Sequence, residues 1–240
     1  MQERYLGDVH DFMKYAFIRY LAAETDMRPG LNWYLTHPDR VDAVGNSDGN
    51  QRYHLGGGVW AGIDGKLVTA LEQFNDAGAR RIAAFEGSGI LPAGTLYHPA
   101  EVPHEERAGW HIAARAALGA ADFVFLDPDN GFVVPSASRR RLPKYALYEE
   151  VTSWLESATL VTCIQFARQC KPQARAGVVV DALKSQGFGE SILPVLRCRV
   201  SPNLLLVSLA RPEVLDHMTA LLQGFAERGR DKVEVIWPDA

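Results

Sequence analysis

Phe123-Val124-Phe125-Leu126-Asp127-Pro128-Asp129-Asn130-Gly131 is the stretch on which the reading of this chain turns. Four bulky apolar residues between Asp122 and Asp127 have the length and composition of a strand buried on both faces, the pattern of a parallel sheet. Pro128 stops the strand. The polar residues after it therefore stand at a carboxyl end, where open α/β sheets bind their ligands. Asp127, Asp129 and Asn130 become the candidate catalytic residues. Asp, Pro, Asn and Gly also form turns for local reasons, and it is the strand ahead of them that favours a site over a plain turn.

Working outward, strand-like and helical segments alternate. Toward the N-terminus, Asp8 is placed to cap a helix whose apolar stripe is Val9, Met13, Ala16, Phe17 and Tyr20. Leu31 to Leu35 reads as a strand after the Pro29-Gly30 turn. The polar stretch from Thr36 to Gly62, with Asp48-Gly49 and three glycines from Gly56, has no periodicity and reads as a long functional loop. Helices are expected around Leu67–Phe74, Arg80–Phe85 and Pro103–Leu118, with a strand at Thr95–His98. Beyond the turn come a helix at Lys144–Leu155, a buried strand at Thr159–Phe166 and a helix ending at Gly187. Ser191–Val200 and Leu204–Leu209, separated by Ser201-Pro202-Asn203, form an expected antiparallel hairpin. A last helix (Leu215, Met218, Leu222, Phe225) precedes a strand at Val233–Trp237. This alternation predicts a single α/β domain over residues 1–240 with a mostly parallel sheet.

The 240 residues are 47% hydrophobic and 22% charged, enough to bury a sizeable core and unlike a disordered or fibrous chain. A net charge of -4 supplies no global positive field for nucleic acid or anionic membrane, so any such partner needs a local patch. Cys163, Cys170 and Cys198 lack the spacing of a disulfide framework or thiolate zinc site. With no signal-peptide-like stretch at the charged N-terminus and no long apolar span, the expectation is a cytoplasmic protein without membrane association.

Two further segments carry candidate chemistry. In Gly7-Asp8-Val9-His10-Asp11-Phe12-Met13-Lys14-Tyr15, helical geometry brings Asp8, Asp11 and Tyr15 within some 60° of one another, a polar stripe fit to line a cleft, or simply a capped and charge-compensated helix start. Arg139-Arg140-Arg141 with Lys144 is the densest basic run and a candidate grip for phosphates of a nucleic acid or nucleotide. The seven histidines show no paired metal-ligand spacing. A GxSxG elbow and a Walker A loop are both missing, which leaves serine-hydrolase and nucleoside-triphosphatase readings unsupported.

With these residues in view, the chain resembles the class I S-adenosylmethionine-dependent methyltransferases. FVFL-Asp127-Pro128-Asp129-Asn130 is similar to the Asp/Asn-Pro-Pro-aromatic motif of amine-methylating members. GDVHDFMKY, with Asp11, Lys14 and Tyr15, resembles the Gly-Asn-x-x-Asp-x-x-Lys-His helix of adenine methyltransferases of large-subunit ribosomal RNA. The openings GDxxDxxKY and FLDPDNG also resemble those of a bacterial protein family. The resemblance implies a Rossmann-like three-layer sandwich with about seven strands and S-adenosylmethionine as cofactor. It implies Asp8, Lys14, Tyr15, Asp48 and Gly49 at the cofactor and Asp127, Asp129 and Asn130 at a substrate amine. Arg139, Arg140, Arg141 and Lys144, with Lys14, would hold phosphate. The stretch after the first strand, LTHPDRVDAVG, lacks the family's acidic residue and glycine loop, and Asp129 and Asn130 replace its second proline and aromatic residue.

The residues alone leave a second enzyme class open. Asp127 and Asp129 with Asp8 or Asp11 supply the carboxylates that an Mg²⁺- or Mn²⁺-dependent phosphodiester hydrolase needs. A non-catalytic scaffold of the same fold is the third alternative.

Overall fold

The computed structural model describes residues 1–42, 51–76 and 80–237. In chain order the elements are α1 (Val9–Thr25), β1 (Pro29–Asn32), α2 (Pro38–Val41), α3 (Val59–Asp76), α4 (Ile82–Glu86), β2 (Leu96–His98), α5 (Arg107–Ala117) and β3 (Phe123–Leu126). There follow β4 (Gly131–Phe132), β5 (Tyr145–Ala146), α6 (Tyr148–Thr152), β6 (Leu160–Ala167), α7 (Pro172–Ser185), β7 (Val195–Cys198), β8 (Asn203–Ala210), α8 (Leu215–Arg228) and β9 (Val233–Ile236). Seven strands make one sheet in the order β2-β1-β3-β6-β8-β7-β9. The first four run parallel, and β8, β7 and β9 close an antiparallel edge. The expected hairpin is present as β7 and β8, and β9 extends it.

Each strand divides its side chains between two cores. Phe123 and Phe125 of β3 pack with Phe17 of α1 and Phe225 of α8, whereas Val124 and Leu126 pack with Trp110 of α5 and Val179 of α7. The alternation follows from the two-residue period of a strand. It makes a three-layer sandwich with helices on both faces, as the Rossmann-like reading expects.

The chain steps from β1 outward to β2 and then back across to β3. That reversal is the topological switch where such sheets open a crevice at their carboxyl ends. Asn32 and Leu126, the last residues of β1 and β3, lie in register, and the amide of Asp127 donates to the Asn32 carbonyl at 3.0 Å. The segment after β1 and the turn after β3 therefore share one edge of the sheet. Gly131 ends that turn at φ +92°, and a Cβ there would lie 2.8 Å from the Gln165 backbone, so both conformation and space require glycine.

Several boundaries differ from the sequence expectation. Pro38–Val41 forms a helical turn and Val59 already opens α3, so the supposed loop from Thr36 to Gly62 is shorter. The rest of that stretch, including Asp48 and Gly49, falls partly outside the described residues. The Asp64 backbone breaks α3, and its carboxylate accepts from the Leu67 amide at 2.9 Å, a cap for the second half. α5 begins at Arg107 rather than Pro103. Arg139–Lys144 is a 3₁₀ turn, so the helix expected from Lys144 shrinks to α6 and a following 3₁₀ turn.

Candidate active site at the carboxyl ends of β3 and β6

The start of α1 is built around three carboxylates and one ammonium group. Asp8 caps the helix, its Oδ1 accepting from the amides of His10 and Asp11 at 2.9 and 3.0 Å. Asp11 accepts from Lys14 Nζ at 2.8 Å and from the Gly7 amide and the Tyr15 hydroxyl at 3.0 Å each. These contacts follow from helical spacing, which stacks residues three and four apart. Lys14 Nζ also lies 2.8 Å from Asp127 Oδ1. Asp127 Oδ2 is buried and has no hydrogen-bond partner among the described residues.

The expected stripe of Asp8, Asp11 and Tyr15 is interior, and Lys14 and Asp127 beside it are buried as well. Burial of charge is tolerable only when the groups pair, and Lys14 serves both carboxylates. Burial, together with the neighbouring Asp8 and Asp127, pushes Asp11 up to about 6 against the pull of Lys14. Burial works to lower Lys14, but Asp11, Asp127 and Asp8 outweigh it and hold the ammonium charged beyond its ordinary range. Burial works to raise Asp8, which His10 and Lys14 reverse.

Asp129 meets different partners. Its Oδ1 lies 3.1 Å from the amino group of Met1. Its Oδ2 accepts from Thr36 Oγ1 at 2.9 Å and Gln2 Nε2 at 3.0 Å, with Lys144 Nζ at 3.6 Å. Lys144 also donates to Asp42 at 2.6 Å, and Arg4 to the other Asp42 oxygen at 2.6 Å. Burial raises Asp129, but the charges of the Met1 amino group and Lys144 prevail and hold it below the usual carboxylate range.

A cavity of about 690 Å³ opens beyond β3 and β6, with Asp8, Asp11, Lys14, Asp127 and Asp129 in its wall. Facing them are Phe166 and the segment Val200–Asn203 between β7 and β8. His10 Nε2 lies 3.0 Å from the Pro202 carbonyl, which can only accept, so that nitrogen carries a proton. The His10 ring meets Phe166 edge-on at 5.3 Å. Sequence reasoning missed His10, Phe166 and Arg168. His10 stood inside the segment already singled out, and Arg168 directly follows a buried strand, which is the signal that found Asp127.

The other sequence candidates separate. Tyr15 is buried behind Asp11 and is no part of the cavity wall. Asp48 and Gly49 lie outside the described residues. Asn130, Arg141 and Lys144 line a neighbouring cavity of about 300 Å³, into which the parallel pair β4 and β5 draws the basic run, the Asn130 amide donating to the Lys144 carbonyl at 2.9 Å. Arg139 points to solvent beside Glu105, and Arg140 donates to the Asp42 carbonyl. Lys14 is held by Asp11 and Asp127 and stands apart from that basic group. Cys163 is buried, and burial drives its thiol far up, as expected of an inert cysteine.

Among the described residues, no cluster of three or more His, Cys, Asp or Glu side chains is arranged to hold a metal ion, and no helix is long and apolar enough to cross a membrane. No protein-family model matches the chain, and comparison with curated proteins gives no match.

Proposed function

We propose that this protein is an S-adenosylmethionine-dependent methyltransferase acting on an amine, with Asp127 as the group that orients the amine. The observation that carries the reading is the Asp127 carboxylate. One oxygen is fixed by Lys14, and the other is buried without a partner in the wall of a cavity at the sheet's switch point. A buried acceptor left open costs about 1–3 kcal/mol, a penalty that an N–H donor from a ligand removes.

The cavity's donors and acceptors fit such a cofactor. Its volume lies in the range of small-ligand sites, about 300–1,000 Å³, and its acidic wall suits a sulfonium and an ammonium group. Asp8 and Phe166 would hold it, and Lys14, with two of its three donors in use, would meet its carboxylate. The space directly after β1 is filled instead by Met1 and Gln2, Met1 donating to the Tyr34 carbonyl at 2.7 Å. This agrees with the missing glycine loop and favours the cavity beyond β3 and β6 as the cofactor's place.

S-adenosylmethionine supplies an electrophilic methyl group. Asp127 Oδ2 accepts one N–H of the amine and so fixes where its lone pair points, and such positioning is worth orders of magnitude in rate. Transfer of the methyl from sulfur to nitrogen would leave a neutral thioether and a cationic amine. The Asp127 carboxylate would stabilise that charge, and the amine's proton would then pass to water. Metal-dependent hydrolysis is less well served, because Lys14 Nζ stands between Asp11 and Asp127 where a bridging divalent ion would sit.

Calorimetry with S-adenosylhomocysteine tests the cofactor assignment, and transfer of a labelled methyl group tests the reaction. Binding by the wild type is expected. Absence of heat at about 1 mM ligand, equivalent to about −4 kcal/mol, would remove the reading.

A further inference from the structure

The smaller cavity, about 300 Å³, adjoins the larger one, the two sharing Phe166 and Arg168. Its chemistry is opposite. Arg141, Lys144, Arg168 and Arg175 line it, and Asp42 is the one carboxylate among its lining residues. Asp42 is bound by Lys144 at 2.6 Å and is shared with Arg4. Arg141, Arg168 and Arg175 therefore face the cavity with no ion pair among the described residues. Arg175 Nε is buried without a partner among the described residues, and the Arg168 guanidinium lies 4.9 Å from the centre of the Phe166 ring.

Three unpaired guanidinium groups repel one another, and this protein has no excess of basic residues to place there by chance, its net charge being -4. Such an arrangement suits a compact anion with oxygens in several directions. Guanidinium forks match phosphate in geometry, and phosphate accepts from several forks at once. Next to this anion-binding site lie an aromatic ring and the acceptor proposed for an amine. A phosphate, a flat ring and an exocyclic amine at neighbouring positions are the parts of one nucleotide.

We propose that Arg141, Arg168 and Arg175 bind a backbone phosphate of a single-stranded nucleic acid whose base enters the larger cavity. The inference rests on the amine-transfer reading and names its substrate class. Phosphate contacts position a strand and base contacts select it. Phe166 is the stacking surface between the two sites, in the manner of strand-binding proteins. Arg139, two residues from Arg141 but paired with Glu105 in solvent, takes no part.

The test is fluorescence anisotropy with a labelled single-stranded RNA of about 12 nucleotides, within the span such grooves accept. Wild-type protein should bind. Replacing Arg141, Arg168 and Arg175 together by Ala should weaken binding at least tenfold and flatten its salt dependence, with melting unchanged because Arg141 and Arg168 are exposed and Arg175 partly so. Arg141→Ala alone should weaken binding about threefold, and Arg115→Ala, remote on α5 and paired with Glu156, should not change it. Equal affinity of wild type and triple variant, or an equal loss in Arg115→Ala, overturns the phosphate site. Adenosine monophosphate competing as well as the strand at equal phosphate concentration overturns the assignment to a strand. These readouts require no turnover, so a failure here is distinct from failure of S-adenosylhomocysteine to bind, which removes the methyl-transfer reading instead.

Discussion

Asp127 and Asp129 lie two residues apart on one turn, yet their surroundings have opposite charge balance. Around Asp127, three carboxylates (Asp8, Asp11, Asp127) share the single ammonium of Lys14. Around Asp129, two carboxylates (Asp42, Asp129) meet the Met1 amino group, Lys144 and Arg4. The first group is short of positive charge and keeps one carboxylate oxygen without a partner among the described residues. The second is saturated and joins the N-terminal residues, the segment after β1 and the basic turn. Identical residue types on one turn thus divide into an under-neutralised cluster, where we propose the ligand site, and a saturated clasp.

The largest effect should come from removing the one cation of the under-neutralised cluster. Lys14→Met leaves Asp11 and Asp127 buried and unpaired, a change that costs about 3–5 kcal/mol. Lys144→Met leaves Asp129 with the Met1 amino group and Asp42 with Arg4, and should cost less than half as much. Denaturant unfolding of both variants checks this. Equal losses would mean that the two clusters are equally balanced, and the contrast would fail.

Activity should separate the carboxylates more sharply than stability does. Asp127→Asn keeps the size of the side chain but weakens the acceptor proposed to orient the amine, and on that proposal turnover should fall by about 10²-fold or more. The turn alone would predict almost no change in stability. The ion pair with Lys14 predicts a loss of about 1–3 kcal/mol, since Lys14 retains only Asp11. Asp129→Asn should cost a similar amount of stability while turnover falls less than tenfold. A methyl-transfer assay that ranks Asp129→Asn below Asp127→Asn would exchange the roles of the two residues.

Much of this frame was legible in the sequence because it rests on local rules. FVFL gave a buried strand through its apolar run, Asp8 gave a cap, and Ser201-Pro202-Asn203 gave the turn of an antiparallel pair. Each signal spans fewer than a dozen residues. The division of labour at the turn was hidden because it depends on partners far along the chain. Gln2 and Thr36 reach Asp129 only after β1 and β3 pair in register, and Lys14 reaches Asp127 only when α1 docks on the sheet. The basic run had an equally partial signal. Arg141 and Lys144 face a cavity, but its other cations, Arg168 and Arg175, come from beyond β6, and no spacing rule connects residues so distant in sequence.

The smallest effect is a pH dependence, and it tests the charge imbalance directly. Burial and the carboxylates of Asp8 and Asp127 raise Asp11 to about 6 from an ordinary value of 3.8. A carboxyl group with a raised folded-state pKa binds protons more tightly in the folded protein. Its contribution to stability is therefore present below that pKa and is lost as pH rises through it. Between pH 5 and pH 7 the wild type should lose on the order of 1 kcal/mol through Asp11. Asp11→Asn has no proton to release there. Asp8, His10, Asp127 and Lys14 face Asp11 in both proteins, so to first order their own titration cancels in the difference. The melting temperature of Asp11→Asn relative to wild type should rise by about 2–4 °C from pH 5 to pH 7, whatever the absolute cost of the substitution. A difference that stays flat would place Asp11 near its ordinary value, fully neutralised by Lys14. The cluster at Asp127 would then be as well balanced as the clasp at Asp129, and the case for a ligand that supplies positive charge would lose its electrostatic half.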